Sequence, residues 1–276
     1  SLEGYAGSLH TALTRPHPPY QAIGIRNPGG EYNQLSDSLL QIENEFYGTI
    51  RPKRAIRRGE RPLHALRDRG VEYIEVRCLD LDPFEPVGVA APTMAFVDVF
   101  LLHCLLADSP PDDPLEIAAM ARNQERTAAQ GREPGLMLER GDGVIALQDW
   151  GLALLAECEP IAEALDAAVG GRRHADALRA ARLALEDMAR LPSARVLAAM
   201  AREHAHGFNA FARARSGAAC EALRALPWSA ADEAAFEAMS EASRARQAAL
   251  EACECVPFED YRRHYVAAER LTPAPA

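Results

Sequence analysis

The stretch Val71-Glu72-Tyr73-Ile74-Glu75-Val76-Arg77 decides how this chain is read. Its β-branched and aromatic residues suit an extended strand, on which successive side chains alternate between two faces. Tyr73, Glu75 and Arg77 therefore share one face, and Ile74, Val76 and Cys78 share the other. The first face carries phenol, carboxylate and guanidinium, whereas the second is expected to meet a core. Upstream, Gln41-Ile42-Glu43-Asn44-Glu45-Phe46-Tyr47 repeats the alternation, with Gln41, Glu43, Glu45 and Tyr47 together and Ile42 and Phe46 opposite. Two adjacent strands of this kind make a polar floor. Carboxylates are costly to bury unless they are paired or hold a metal ion, and an arginine nearby is a ready partner for phosphate. The pattern reads as half of a nucleotide and metal site.

Outward from these strands the organisation changes twice. Residues 1 to about 35 are punctuated by Pro16, Pro18, Pro19, Pro28, Gly29 and Gly30 around a helical turn at Gly7 to Thr14, which predicts a linker and an active-site loop. Residues 36–88 carry the strand signals, interrupted by a basic loop and a short helix over Pro62 to Arg69 and ended by Pro83 and Pro86. From Pro92 onward apolar residues recur at helical spacing, as in Phe96, Val99, Phe100 and His103. This predicts helices over about 92–107, 113–131, 148–168, 172–190, 193–214, 229–252 and 256–269, with Pro114 at a helix start and Ser193 as an N-cap. Strands first and helices afterwards predict an α+β chain instead of alternating βαβ units.

At 276 residues and 48% hydrophobic the chain is long enough to bury a sizeable core. A formal net charge of -10 argues against a general nucleic-acid partner, because phosphate backbones reward basic surfaces. Arg51, Lys53, Arg54, Arg57, Arg58 and Arg61 nonetheless cluster just after Tyr47. They form either a solvated loop or a collar that draws in a triphosphate and an amino-acid carboxylate. Arg51 is the candidate substrate-binding member, since Pro52 restrains the chain beside it. The longest apolar run, Val99 to Ala107, is too short to cross a bilayer and reads as a buried helix, so no membrane partner is expected. Six cysteines lack the spacing of a disulfide framework, which points to free thiols and a cytoplasmic location. Cys253-Glu254-Cys255 has no second Cys or His pair beside it, and His204 and His206 on a helix would point to nearly opposite sides. The chain contains no Walker-type glycine loop, dinucleotide fingerprint or nucleophile elbow.

Several separated segments, taken in order, carry a resemblance. Gln34-Leu35, Leu40 through Tyr47, Ile50-Arg51-Pro52-Lys53-Arg54, Val71 through Arg77, Gly131-Arg132, Pro134-Gly135-Leu136 and Ser193 through Leu197 are similar to motifs of the proteobacterial glutamate–cysteine ligases. The similarity covers most of the chain and thins after about residue 215. Members of that family are nearly twice as long, so the chain resembles their C-terminal half, and it opens on Ser1. The resemblance implies part of a glutamine-synthetase-like antiparallel sheet followed by a mostly helical region. Residues 1–276 are then one portion of a larger catalytic domain, with site residues in 1–88 and helices in 89–276. The other half is expected to supply the remaining strands, most of the metal-binding glutamates and a metal-binding histidine. Alone, this portion is expected to be inactive and to expose sheet edges and apolar faces.

The resemblance also implies roles. ATP phosphorylates the γ-carboxylate of glutamate, and the cysteine amine then displaces phosphate from the γ-glutamyl phosphate, the first step of glutathione biosynthesis. Glu75 matches a metal-binding glutamate, and its carboxylate oxygens suit Mg²⁺; the alternative is a strand-surface salt bridge to Arg77. Arg77 matches the arginine that contacts the transferring phosphate of ATP, a catalytic and ATP-binding role, or it pairs only with an acid such as Glu75. Tyr47 matches a tyrosine of the cysteine pocket, or it fills a sheet face. Glu43 and Glu45 are expected in salt bridges to the basic cluster, and Asn123, Arg132 and Arg195 as structural residues. Two other outcomes are open: a related carboxylate–amine ligase accepting a different amine, and a noncatalytic helical interaction module.

Overall fold

A computed structural model describes residues 1–57, 59–77, 79–111, 113–253 and 256–270. They form two compact units, one comprising Ser1–Leu79 with Trp228–Ala276, the other Asp80–Pro227. The fold is mostly helical with two small antiparallel ribbons, the α+β arrangement expected.

In the first unit, helix α1 (Leu2–Thr14) is capped by the Ser1 hydroxyl, which accepts from Gly4 N–H at 3.1 Å. The segment expected as a linker is thus a full helix. Its apolar residues Ala6, Leu9 and Leu13 fall three to four apart and are buried, and Leu9 and Leu13 pack with Tyr5, Leu40 and Phe46. A six-residue helix α2 (Pro18–Ile23) follows. Strand β1 (Ile50–Lys53) and strand β2 (Tyr73–Val76) flank helix α3 (Pro62–Arg69), whose limits coincide with the expected ones. Pro62 starts α3 with its φ preset, and Gly70, at φ 74°, ends it in a conformation that other residues resist.

Strands β1 and β2 pair antiparallel with Arg51 opposite Glu75 and Lys53 opposite Tyr73. The other face of this ribbon does not meet a core. Ile50 is 48% exposed and Ile74 42%, and Cys78 lies outside the described residues. Glu43–Glu45 is a single 3-10 turn, not a strand, so the two-strand polar floor does not form. The reason is local: the Glu45 carboxylate accepts from Gln41 N–H at 2.7 Å, and the Gln41 side-chain carbonyl from Leu35 N–H at 2.7 Å. These short-range bonds compete with a ladder. Helices α10 (Ala230–Ala252) and α11 (Phe258–Val266) complete the unit; α10 begins in a capping box between Ser229 and Asp232.

In the second unit, helix α4 (Ala91–Leu106) packs on helices α6 (Leu147–Val169) and α7 (Arg173–Glu186). Val99, Leu155, Cys158, Ala162 and Leu178 form its core. Gly151 permits close packing, since a Cβ there would lie 2.7 Å from Leu185 Cδ1. Helix α5 (Pro114–Gln130) starts at Pro114 as expected, with Asp113 as its cap. The hairpin of β3 (Met137–Arg140) and β4 (Gly143–Ala146) was not anticipated; its signal is Gly141-Asp142, with Gly141 at φ 55°. The helix expected over 193–214 is two, α8 (Pro192–Glu203) and α9 (Phe208–Arg224). Ala205 and His206 adopt φ 47° and 62° between them, and Leu191, not Ser193, occupies the N-cap of α8.

Candidate active site

The ribbon brings three of the four candidate residues into one contiguous group. Glu75 and Arg77 lie on the same strand face two residues apart, and Arg77 Nη2 donates to Glu75 Oε1 at 2.9 Å. Across the ribbon, Lys53 Nζ sits 3.0 Å from Glu75 Oε2. The Arg77 guanidinium lies over the Tyr47 ring, 4.8 Å from its centroid, a cation–π contact. Tyr47 is 72% exposed, so it fills no core. The group reads outward as Lys53, Glu75, Arg77 and Tyr47, all partly open to solvent except the more exposed Tyr47 ring. The salt bridge foreseen between Glu75 and Arg77 is present.

These cations act on Glu75. The Lys53 ammonium, and less strongly the Arg77 guanidinium, hold its carboxyl below the usual range against the opposing effect of desolvation. Glu75 is therefore an ionised oxygen donor. One such carboxylate suits Mg²⁺, which takes one or two carboxylates and completes its shell with phosphate oxygens and water. Among the described residues no group of three or more His, Cys, Asp or Glu side chains gathers into a metal site. Glu75 fits as a single ligand and nothing more.

The fourth candidate, Arg51, lies beneath this group. It stands opposite Glu75, so the two side chains leave the ribbon on one face. Arg51 is only 4% exposed; its Nη2 donates to the Glu43 carbonyl at 3.2 Å and its guanidinium lies 5.7 Å from the centre of the Phe46 ring. The basic cluster is thus neither a solvated loop nor an open collar. Arg61 is buried beside Glu43, with Nε 3.5 Å from Oε1, as expected of Glu43, and it donates to the Tyr265 carbonyl. Lys53 pairs with Glu75 and Arg54 with Glu72 at 3.7 Å. Arg57 is exposed, and Arg58 lies outside the described residues.

Glu43, Arg51, Lys53 and Arg54 line a cavity of about 220 Å³ whose remaining wall includes Leu9, Leu63 and Leu66. Sequence patterning did not reveal this cavity, because it depends on α1 and α3 closing over β1. Burial raises the phenol of Tyr5 at its edge, while the Arg51 guanidinium beside it acts in the opposite direction.

The remaining motif residues serve architecture. Asn123 bridges α5 to β3 by donating to the Glu139 carbonyl at 2.8 Å and accepting from its N–H at 2.9 Å. Arg195 reaches Asp82 at 3.3 Å and covers the Phe84 ring at 4.1 Å, with Arg215 at 4.9 Å from the same ring. Arg132 is exposed. His204 and His206 belong to the turn that ends α8 instead of to a helix. Cys104, Cys158, Cys220 and Cys253 are free thiols, whereas Glu254 and Cys255 lie outside the described residues. No helix among the described residues is long and apolar enough to cross a membrane.

Comparison with known proteins shows what the chain is similar to. Residues 1–127 match the family model for glutamate-cysteine ligase. The glutamate–cysteine ligase of Janthinobacterium sp. (strain Marseille) is 45% identical over 264 residues, covering 96% of this chain and 50% of that protein. That of Azotobacter vinelandii is 44% identical over 266 residues, with 96% and 50% covered. The crystal structure of glutamate–cysteine ligase from Francisella tularensis in complex with AMP superimposes with a TM-score of 0.90 at 34% identity, over 98% of this chain and 53% of that one. The chain spans about half the length of the curated relatives it matches. The likeness to glutamate–cysteine ligases read from the sequence therefore holds along nearly the whole chain.

Proposed function

We propose that this chain contributes the Tyr47–Arg77–Glu75 group to an ATP-dependent ligation of glutamate, through its γ-carboxylate, to cysteine. The observation that carries this is the contact series at the ribbon: a guanidinium fork 2.9 Å from an ionised carboxylate and 4.8 Å from an exposed tyrosine ring. The relative solved with AMP supports a nucleotide as the phosphoryl source. A carboxylate is a poor electrophile, so ligation needs its oxygen to attack the γ-phosphorus of ATP and release ADP. The amine then attacks the acyl carbon, and phosphate departs with the bonding pair.

In this scheme Arg77 holds two oxygens of the phosphoryl group as charge shifts among them, which is where fixed cations lower a barrier most. Glu75 is one oxygen ligand of a magnesium ion, which when bound neutralises phosphate charge. Lys53 keeps Glu75 ionised, and Tyr47 positions the guanidinium while offering its hydroxyl to the amine substrate. Arg51 contributes to substrate binding from the cavity beneath. The free thiols among the described residues fit the cytoplasmic setting inferred for the reaction. The missing metal ligands and substrate contacts come from the other half of the longer relatives.

The test is ADP release by the protein that carries this chain, with glutamate and a panel of amines, as Mg²⁺ is titrated. Glu75→Gln is expected to shift the Mg²⁺ requirement upward about tenfold or more, with cysteine the preferred amine. An unchanged Mg²⁺ curve would remove Glu75 from the metal site. Equal turnover with unrelated amines would move the chain to another carboxylate–amine ligase.

A further inference from the structure

Lys53 is the only lysine among the chain's 30 lysine and arginine residues, so arginine serves at every other basic position. It ends β1, diagonally across the ribbon from Glu75, with Nζ 3.0 Å from Oε2. A lysine brings a compact charge on a flexible stem, whereas an arginine brings a planar fork that can hold both oxygens of a carboxylate. The cation at this position is thus the one that lets go of a carboxylate more readily.

Both oxygens of Glu75 already have a cation against them. Oε1 accepts from Arg77 Nη2 at 2.9 Å, and Oε2 faces the Lys53 ammonium. The side chain as a whole is 34% exposed, yet Oε2 itself is closed to solvent. A divalent ion brought to this carboxylate meets like charge at either oxygen, so one of the two cations has to yield. Arg77 is tied on three sides: its N–H to the Thr49 carbonyl at 2.7 Å, its fork to Oε1, and its guanidinium over the Tyr47 ring. Lys53 pairs only with Glu75 among the described residues, and the pair lacks an aligned hydrogen bond, since Oε2 has no hydrogen-bond partner. A misaligned contact is the weaker one, so Lys53 yields first.

We propose that Lys53 is a displaceable counter-ion, whose ammonium holds Oε2 of Glu75 until a divalent metal ion takes that oxygen, and then swings away on its stem. It is a positioning residue that keeps the carboxylate aimed and its charge compensated before the metal arrives. This role rests on Glu75 being a metal ligand, and the two are tested apart.

Mn²⁺ binding to the protein that carries this chain, followed by electron paramagnetic resonance without nucleotide or turnover, reads the exchange. Lys53→Gln should tighten Mn²⁺ about tenfold, and the gain should vanish in a Glu75→Gln background, because the two residues meet at one oxygen. Lys53→Arg keeps the charge but adds a fork that grips the carboxylate harder, and should weaken Mn²⁺ about threefold or more. With labelled methyl groups placed on the lysine amines, the NMR signal that Lys53→Arg removes should move toward that of a solvated lysine as Mg²⁺ is added. In Glu75→Gln it should lie there already. Unchanged Mn²⁺ affinity in Glu75→Gln would remove the metal ligand itself, and the exchange with it. With that variant weakened, unchanged or weaker binding in Lys53→Gln would overturn the exchange alone. So would equal affinities for Lys53→Arg and the parent, which mark an effect of charge through space, or a Lys53 signal that Mg²⁺ leaves in place.

Discussion

Glu75 holds an ammonium and a guanidinium at once, and that double pairing keeps a strand-surface acid ionised, as the metal-ligand role proposed for it requires. Its cations keep it ionised and pre-aimed, while partial exposure leaves it accessible. Arg77 is bound on one side by this carboxylate and on the other by the Tyr47 ring, which fixes the fork in place. Lysine at this position retains a charge but not the planar pair of donors. Arg77→Lys is therefore expected to lower kcat about a hundredfold with ATP affinity largely retained, measured by steady-state ADP release. For Tyr47, ring and hydroxyl separate cleanly. Tyr47→Phe keeps the face beneath Arg77 and should raise the KM for cysteine more than that for ATP, whereas Tyr47→Ala should also lower kcat; equal changes in both KM values for Tyr47→Phe would indicate packing alone. Period-two alternation made the shared face of Glu75 and Arg77 legible in the sequence. It did not reveal that Arg51 is buried, because that depends on Glu43 and α1, which are distant from it in the pattern.

Among the elements, the α6–α7 junction is held by a single buried acid. Asp166 near the end of α6 accepts from the N–H groups of His174 and Ala175, each at 3.0 Å, and from the His174 ring at 2.8 Å. It thus caps α7 from the preceding helix. Burial pushes the Asp166 carboxyl upward, but the two backbone donors and then the His174 ring outweigh it and hold it below its ordinary value near 3.8. A depressed carboxyl stabilises the fold fully above the unfolded value and loses that contribution as pH falls through the folded one. Melting temperature should therefore drop on acidification below about pH 4, and Asp166→Asn should lower it by several degrees at neutral pH while flattening that acid limb. An acid limb of undiminished slope in the variant would assign the effect to other carboxyls. Helix limits were largely readable from spacing, proline and caps, as α3 and α5 illustrate. The 3-10 turn at Glu43–Glu45 was not, because side-chain bonds to nearby backbone overrode an alternation that mimics a strand. The break at Ala205 and His206 was equally hidden, since alanine does not signal a left-handed backbone and histidine signals it only weakly.

At the scale of the molecule, the order of strand and helix signals was enough to anticipate an α+β chain, and composition was enough to anticipate a packed helical core. Leu155 sits at the centre of that core, 4% exposed among Val99, Cys158 and Leu178. Leu155→Ala should cost about 2–5 kcal/mol in urea unfolding, the range for a buried leucine whose space cannot fully close. A loss below about 1 kcal/mol would show that α4, α6 and α7 repack around the gap. Exposed apolar faces were foreseen only through the resemblance; the residues of the ribbon themselves predicted that this side meets a core, which it does not.

Arg77 N–H donates to the Thr49 carbonyl at 2.7 Å, which sets the hydrogen-bonding phase of the ribbon. Arg51 and Lys53 accordingly turn their backbone groups toward β2, and Ile50 and Pro52 turn theirs outward. Proline has no amide hydrogen, so the outer margin of β1 lacks a donor at its middle, while β2 offers the outward N–H groups of both Ile74 and Val76. The two borders are thus chemically unequal in the backbone donors they turn outward.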